Sequence, residues 1–277
     1  MRYSVVTLCR VVGVSRSGYY AWHHRLPSDR QRANEQLAQQ IAEIHQQSRQ
    51  RYGSPRIVKA LRQQGFCCNR KRIVRLMQIH HIRAKTKRRF KVTTNSEHRL
   101  PVASDLVQQN FAVNAPNRVW TSDITYLWTR EGWVYLAVIL DLFARCIVGW
   151  ELSSRLTADL VTSALQRAVD WREPEPGLIL HSDRGSQYAS QELHILVEQY
   201  SIRQSMSGKG NCYDNAVTES FFHTLKTELT FFERYESRQE ARSSIFEYIE
   251  VFYNRQRLHS TNGYLSPFDF ENLYTVT

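Results

Sequence analysis

Acidic residues are almost missing from the first hundred positions, where 4 Asp+Glu face 22 Lys+Arg. From residue 101 onward the balance reverses, to 22 acids against 15 bases, so the whole positive excess of a +11 chain is N-terminal. One part is suited to a polyanion, and the other keeps the carboxylates that a cation needs. Cysteine pairs are also lacking. Cys9, Cys67, Cys68, Cys146 and Cys212 are odd in number and include no C-x-x-C. This excludes a disulfide framework and a structural zinc site and fits a reducing compartment. No stretch approaches the roughly 18 consecutive apolar residues of a membrane span. Arg2 and Arg10 interrupt the start of the chain, and no small-residue cleavage site follows. The expectation is a soluble, intracellular protein with no membrane partner. Internal repeats and low-complexity tracts are absent, and 277 residues predict about two ordinary globular domains.

Residues 1–82 read as an all-helical region. Two short helices are expected about Gly13, with Ser15 capping the second. A helix over 33–49 carries Leu37, Ile41 and Ile44 at helical spacing. Ser54-Pro55 supplies an N-cap and N1 pair for the next helix, Gly65 ends it, and Asn69 caps a last one from Arg70 to His80. The inner face of that helix is Ile73, Val74, Leu76 and Met77, and the outer face offers Arg70, Lys71, Arg72 and Arg75. A tight turn followed by a basic second helix predicts a helix-turn-helix over about 54–80 that binds DNA through those four side chains. Residues 83–115 read as a basic linker.

From residue 116 to 230 the pattern becomes α/β. Three strands are expected over 118–128, 133–142 and 145–152, the second almost wholly apolar as a central strand should be. Helix, strand, helix, strand and helix follow. The order β-β-β-α-β-α-β-α is that of a ribonuclease-H-like fold with a mixed sheet. A helix near 238–252 and a basic, aromatic tail complete the chain over 231–277.

Three carboxylates stand out within that order. Asp123 lies in a β-rich run, Asp183 ends the apolar run that starts at Leu178, and Glu219 lies on a later helix, with 35 residues between it and Asp183. Two aspartates at neighbouring strand positions and a glutamate crossing their edge suit a pair of hard divalent cations, which prefer carboxylate oxygens and leave room for phosphate. Asn215, Glu219, His223 and Lys226 fall at i, i+4, i+8 and i+11, so one helix face would present a polar group, a ligand and two phosphate contacts. Gln187, in the polar turn after Asp183, joins the expected DNA contacts. Asp141 reads as structural or supporting, Asp214 as the cap of the Glu219 helix, Glu228 as turned away from the site, and His181 as a core or supporting histidine.

Taken together, the motifs resemble one family. Tyr52-Gly-Ser-Pro-Arg-Ile57 with Asn69-Arg-Lys-Arg-Ile-Val-Arg-Leu-Met77 is similar to the helix-turn-helix of OrfB-type transposases of the bacterial insertion-sequence-three family. Trp120-Thr-Ser-Asp-Ile-Thr-Tyr126, His181-Ser-Asp-Arg-Gly-Ser-Gln-Tyr188 and Asp214-Asn-Ala-Val-Thr-Glu-Ser-Phe221 resemble its three catalytic motifs. Tyr253-Asn-Arg-Gln-Arg-Leu-His-Ser260, Gly263-Tyr264 and Ser266-Pro267 resemble its C-terminal signature. The resemblance implies a retroviral-integrase-like core that cuts and joins element ends, with Asp123, Asp183 and Glu219 as catalytic triad and metal ligands. It implies Mg²⁺, with Mn²⁺ as a substitute, as two ions. It implies Lys226 as a DNA-contacting lysine. The implied partners are terminal inverted repeats, target DNA, further copies of the chain and an upstream-frame fusion product, in a cytoplasmic, nucleoid-associated setting. Retroviral integrases carry a His-His-Cys-Cys zinc module, whose spacing the adjacent Cys67-Cys68 lack. From the residues themselves, a ribonuclease H or junction nuclease and a DNA-binding regulator with an inactive core remain open readings.

Overall fold

Small polar residues set the helix starts in the N-terminal part of the chain. The computed structural model describes residues 3–85, 103–208 and 215–275. Within it, Met1–Ala84 and Lys85–Thr277 form two units. Helices α1 (Val5–Val12) and α2 (Arg16–His23) are capped by Ser4 and Ser15, whose hydroxyls accept from Thr7 and Gly18 N–H. Gly13 ends α1 in the left-handed region at φ 74°, which glycine adopts without steric cost. Helix α3 (Asp29–Gln47) starts four residues before its expected position, because Ser28 caps it and accepts from Gln31 N–H. Helix α4 (Ser54–Gln63) is capped by Gly53 without a side-chain bond, so Ser54 is already inside the helix rather than its cap. Helix α5 (Arg70–Ile79) has the expected Asn69 cap, accepting from Arg72 N–H at 3.1 Å. Ile41, Ile44, Ile57, Leu61, Ile73, Leu76 and Met77 are buried where α3, α4 and α5 meet.

In the second unit β1 (Val119–Thr129), β2 (Gly132–Asp141) and β3 (Cys146–Ser153) form an antiparallel meander. Helix α6 (Ala158–Arg172), β4 (Ile179–Ser182), α7 (Gln191–Gln199), β5 (Arg203–Met206) and α8 (Ala216–Leu225) follow. The sheet order is β3-β2-β1-β4-β5, with β4 parallel to both β1 and β5. This is the expected ribonuclease-H-like mixed sheet. Helix α6 buries Leu160, Val161, Ala164, Leu165 and Ala168 against Ala137, Ile139 and Val148. Gly149 permits that approach, since a Cβ there would lie 2.3 Å from the Ala164 carbonyl oxygen.

The C-terminal part departs from expectation. The helix read over 238–252 is α9 (Arg238–Phe246), prolonged by a wider π-helical stretch over Glu247–Tyr253. A second π stretch, Lys226–Thr230, prolongs α8, with Phe231 N–H reaching the Lys226 carbonyl at 3.0 Å. Where a tail was read, α10 (Pro267–Thr275) forms, started by Ser266, which accepts from Asp269 N–H and donates to the Asp269 carboxylate. Residues 86–102 of the expected linker, together with Cys212 and Asp214, lie outside the described residues.

Candidate active site

Strand pairing brings the two aspartates together. β1 and β4 run parallel with Ser122 level with Ser182, and one residue further along each strand stand Asp123 and Asp183. Asp123 is on β1 itself, antiparallel to Val138, while Asp183 is the first residue past β4. Gly185 N–H donates to Asp183 Oδ1 at 2.9 Å, and a Cβ on Gly185 would press on that oxygen at 3.0 Å, so the turn after β4 closes tightly over the carboxylate.

Helix α8 is seated on β1 by a buried polar clamp. Thr218 Oγ1 lies 2.7 Å from Thr121 Oγ1 and 3.0 Å from the Asn215 amide oxygen, and the Asn215 amide NH2 donates to the Ser122 carbonyl at 3.2 Å. These bonds fix the start of the helix against the two residues that precede Asp123, and Glu219 follows one position after Thr218. The electrostatics show how close the acids are. Asp123 has its pKa raised well above the ordinary carboxylate value by burial first, then by the charge of Asp183 and, less, of Glu219. Glu219 is raised by partial burial and by Asp183. Lys226 is half-buried, its pKa lowered by burial against the opposing pull of Asp123, and its ammonium lies 5.6 Å from the Tyr126 ring centre. The acids feel one another without forming a closed cage: among the described residues no three His, Cys, Asp or Glu side chains make a ready metal-ligand group.

Other sequence-predicted residues lie elsewhere or act differently. Asn215 was read as a DNA contact on the Glu219 face. It is buried instead, because its non-helical cap conformation turns the amide inward to the clamp. His223 is exposed on α8. Gln187 is half-buried, its amide 3.4 Å from the Leu156 carbonyl. Asp141 is structural, accepting from Asn117 and Phe143 N–H. Glu228 is buried in an ion pair with Arg257. His181 is a core histidine, with Nδ1 2.9 Å from Ser205 Oγ. In the first unit Arg70, Lys71 and Arg75 are exposed, whereas half-buried Arg72 donates to Asn34 at 2.9 Å and ties α5 to α3.

Sequence reasoning missed Tyr188. Its buried hydroxyl lies 2.9 Å from Ser122 Oγ, and its ionisation is suppressed by burial, then by Asp123 and Asp183. It therefore remains a neutral phenol behind the two aspartates. Its place at the end of the His181–Tyr188 motif was the available signal.

The chain matches the Integrase core domain family over residues 113–212, a second Integrase core domain model over 219–273, and the HTH-like domain family over 31–90. It is 48% identical over 267 residues to the insertion element IS600 uncharacterized 31 kDa protein of Shigella sonnei, covering 96% of this chain and 98% of that one. It is 44% identical over 273 residues to the transposase InsF for insertion sequence IS3A of Escherichia coli strain K12, covering 98% of this chain and 94% of the relative. The chain belongs to the IS3-type transposases. Membership in this family favours the transposase reading over the ribonuclease, junction-nuclease and inactive-regulator alternatives, and places the activity class as polynucleotidyl transfer. Among solved structures the chain is similar to a simian T-cell lymphotropic virus intasome in complex with PP2A regulatory subunit B56 gamma, at 17% identity and TM-score 0.49, covering 83% of this chain and 74% of that one. Among the described residues of this transposase no helix is long and apolar enough to cross a membrane.

Proposed function

We propose that Asp123, Asp183 and Glu219 together hold divalent cations, Mg²⁺ with Mn²⁺ as a substitute, and that this site cleaves and transfers the strands of insertion-sequence ends. The reading is supported by one observation: Asp123 and Asp183 stand at adjacent positions of a parallel strand junction, and burial together with the charge of Asp183 opposes the ionisation of Asp123 and of Glu219. A site that keeps such a cluster gains most from a doubly charged partner. Bound there as a pair, the cations would stabilise the attacking and leaving oxygens of an in-line phosphoryl displacement. The protein's own part is positional. The Thr121–Thr218 and Ser122–Asn215 bonds hold Glu219 to β1, and Gly185 N–H fixes one oxygen of Asp183. The proposed substrates are the terminal inverted repeats of the element and target DNA, handled by more than one copy of the chain and with an upstream-frame product as fusion partner. Labelled duplex element ends incubated with the protein and Mg²⁺ should yield strands joined to target DNA. Cleavage of only RNA–DNA hybrids would refute the reading.

Lys226 is proposed to hold a phosphate next to the scissile bond. It sits within the field of Asp123 on the prolongation of the Glu219 helix. Lys226→Ala is expected to slow end joining on the order of 10²-fold, the scale set by misplacing reacting groups. Lys226→Arg should keep part of the rate, and metal binding should be unchanged in both. Joining at the parental rate by Lys226→Ala at subsaturating DNA would reduce the side chain to a surface charge.

Duplex affinity is assigned to the basic N-terminal part through Arg70, Lys71, Arg75 and their neighbours. A fragment of residues 1–100 should bind duplex DNA with steep salt dependence, as phosphate contacts release counterions, and residues 110–277 should bind far more weakly. The opposite order in a filter-binding series would overturn this assignment.

A further inference from the structure

Strand β1 has eleven residues, yet β4 pairs only with Val119–Ser122. Among the described residues no strand pairs with the β4 side of β1 beyond Asp123 until Thr129, where Tyr235 forms an isolated bridge. Between that edge and the segment from Lys226 to Tyr235 runs an open groove of about 850 Å³. It starts beside the carboxylate site, at Lys226 and Tyr126, and leads away from it.

The lining of the groove is unusual for solvent-facing surface. Trp128 and Trp133 are a directly opposed cross-strand pair on β1 and β2, yet they are 59% and 46% exposed. Trp133 packs edge-on against both Trp128, at 4.9 Å between ring centres, and Tyr126, at 5.1 Å. The three rings thus brace one another in a fixed ladder. Cations flank them: Lys226 at the inner end, Arg234 on the wall, and Arg130 at the hairpin tip, where it is paired at 2.9 Å with exposed Glu236. Glu233 is the acid that lines the groove. An aromatic ladder with a lysine at its head and arginines beside it suits an unpaired nucleic-acid strand, whose bases offer π faces and whose backbone offers negative charge. A second protein strand on the β1 edge would make no special use of the ladder or of the cations.

We infer that this groove is a single-strand binding site, in which bases unpaired next to the reacting phosphate stack on Trp128, Trp133 and Tyr126. The inference rests on the proposed carboxylate site, because it is the phosphate held there that feeds the strand past Lys226 into the groove. The physical need is plain. A phosphodiester that must reach a half-buried aspartate on a strand is more accessible when the bases around it leave the duplex, and a stacking surface offsets part of the unpairing cost.

The test uses the full chain and a short oligo(dT) in which some thymines are replaced by 5-iodouracil. Ultraviolet crosslinking followed by peptide mapping should place crosslinks on the segment 126–133. Crosslinks confined to residues 1–85 would overturn the inference. In parallel, oligo(dT) should quench tryptophan fluorescence. Trp128→Leu with Trp133→Leu should weaken oligo(dT) binding about tenfold or more, on the scale of one or two lost base stacks. Duplex binding by the same variant should be unchanged. Equal oligo(dT) affinity in parent and variant would refute the site, and a changed oligomeric state at equal affinity would assign the groove to contact between copies instead. Asp123→Asn separates the two layers of the argument. If that variant loses joining and keeps crosslinks at 126–133, both readings stand. If it still joins strands, the carboxylate assignment fails whatever the crosslinks show.

Discussion

Asp123→Asn, Asp183→Asn and Glu219→Gln proteins are expected to bind duplex DNA like the parent while losing cleavage and joining, with rates down by on the order of 10³-fold or more. Each substitution keeps the side-chain volume and removes one charge from a cluster whose members repel one another. The clamp that seats α8 uses Thr121, Ser122, Asn215 and Thr218, none of which is altered. Substantial strand transfer by Glu219→Gln in Mg²⁺ would remove Glu219 from the site.

The same cluster makes a second readout that does not involve activity. Asp123 has a folded-state pKa raised above its unfolded value, so the folded state binds the proton more tightly than the unfolded one. Its contribution to stability is therefore complete below the ordinary carboxylate pKa and is lost as pH rises towards the raised value. In a chelator at neutral pH, Asp123→Asn should melt at a higher temperature than the parent. The difference should vanish in acid below the ordinary carboxylate range and shrink at neutral pH when Mg²⁺ is added to the parent. A parent that melts above Asp123→Asn at neutral pH in chelator would show that burial does not strain this carboxylate.

Much of this arrangement was legible because it rests on local signals. The apolar run of β2 and the small polar caps of α2 and α5 are properties of short windows, and their positions were readable to within a residue or two. Asp123 and Asp183 were readable as neighbours because a meander followed by a crossover leaves few places for β4. What was not legible depends on contacts between distant parts. Asn215 has the helical phase of Glu219, yet the Ser122 carbonyl, 93 positions earlier, claims its amide and turns it inward. The groove beside Lys226 exists because β4 stops at Ser182, and no pattern within β1 announces where its neighbour ends. Helix α10 was read as a tail because Ser266-Pro267 is a short signal among basic and aromatic residues, and its anchor is the bidentate Arg172–Glu271 pair from α6.

The C-terminal signature finds its physical role in the same long-range contacts. Asn254 is buried, with its amide accepting from Ile147 N–H at 3.0 Å and donating to the Ile147 carbonyl at 2.9 Å, in the manner of one further strand residue on the edge of β3. Three residues later, Arg257 reaches Glu228 through Nε and Nη2 at 2.9 and 2.8 Å, and Tyr248 donates to the same carboxylate at 3.0 Å. Glu228 belongs to the π stretch that carries Lys226, so the pair also holds the continuation of the Glu219 helix in place. Both side chains are nearly inaccessible, and burial, which lowers the Arg257 pKa, is outweighed by the carboxylate, which keeps the guanidinium charged. Removing one partner of such a pair leaves the other charge buried, at a cost of about 3–5 kcal/mol. Arg257→Ala and Glu228→Ala should each lower the urea midpoint of the second unit by a shift corresponding to that cost. Replacing both by Met and Leu should recover most of it, since no charge is then left unpaired. A loss below about 1 kcal/mol in Arg257→Ala would place the pair in the class of solvent-screened surface bridges and deny it any hold on the helix that carries Glu219 and Lys226.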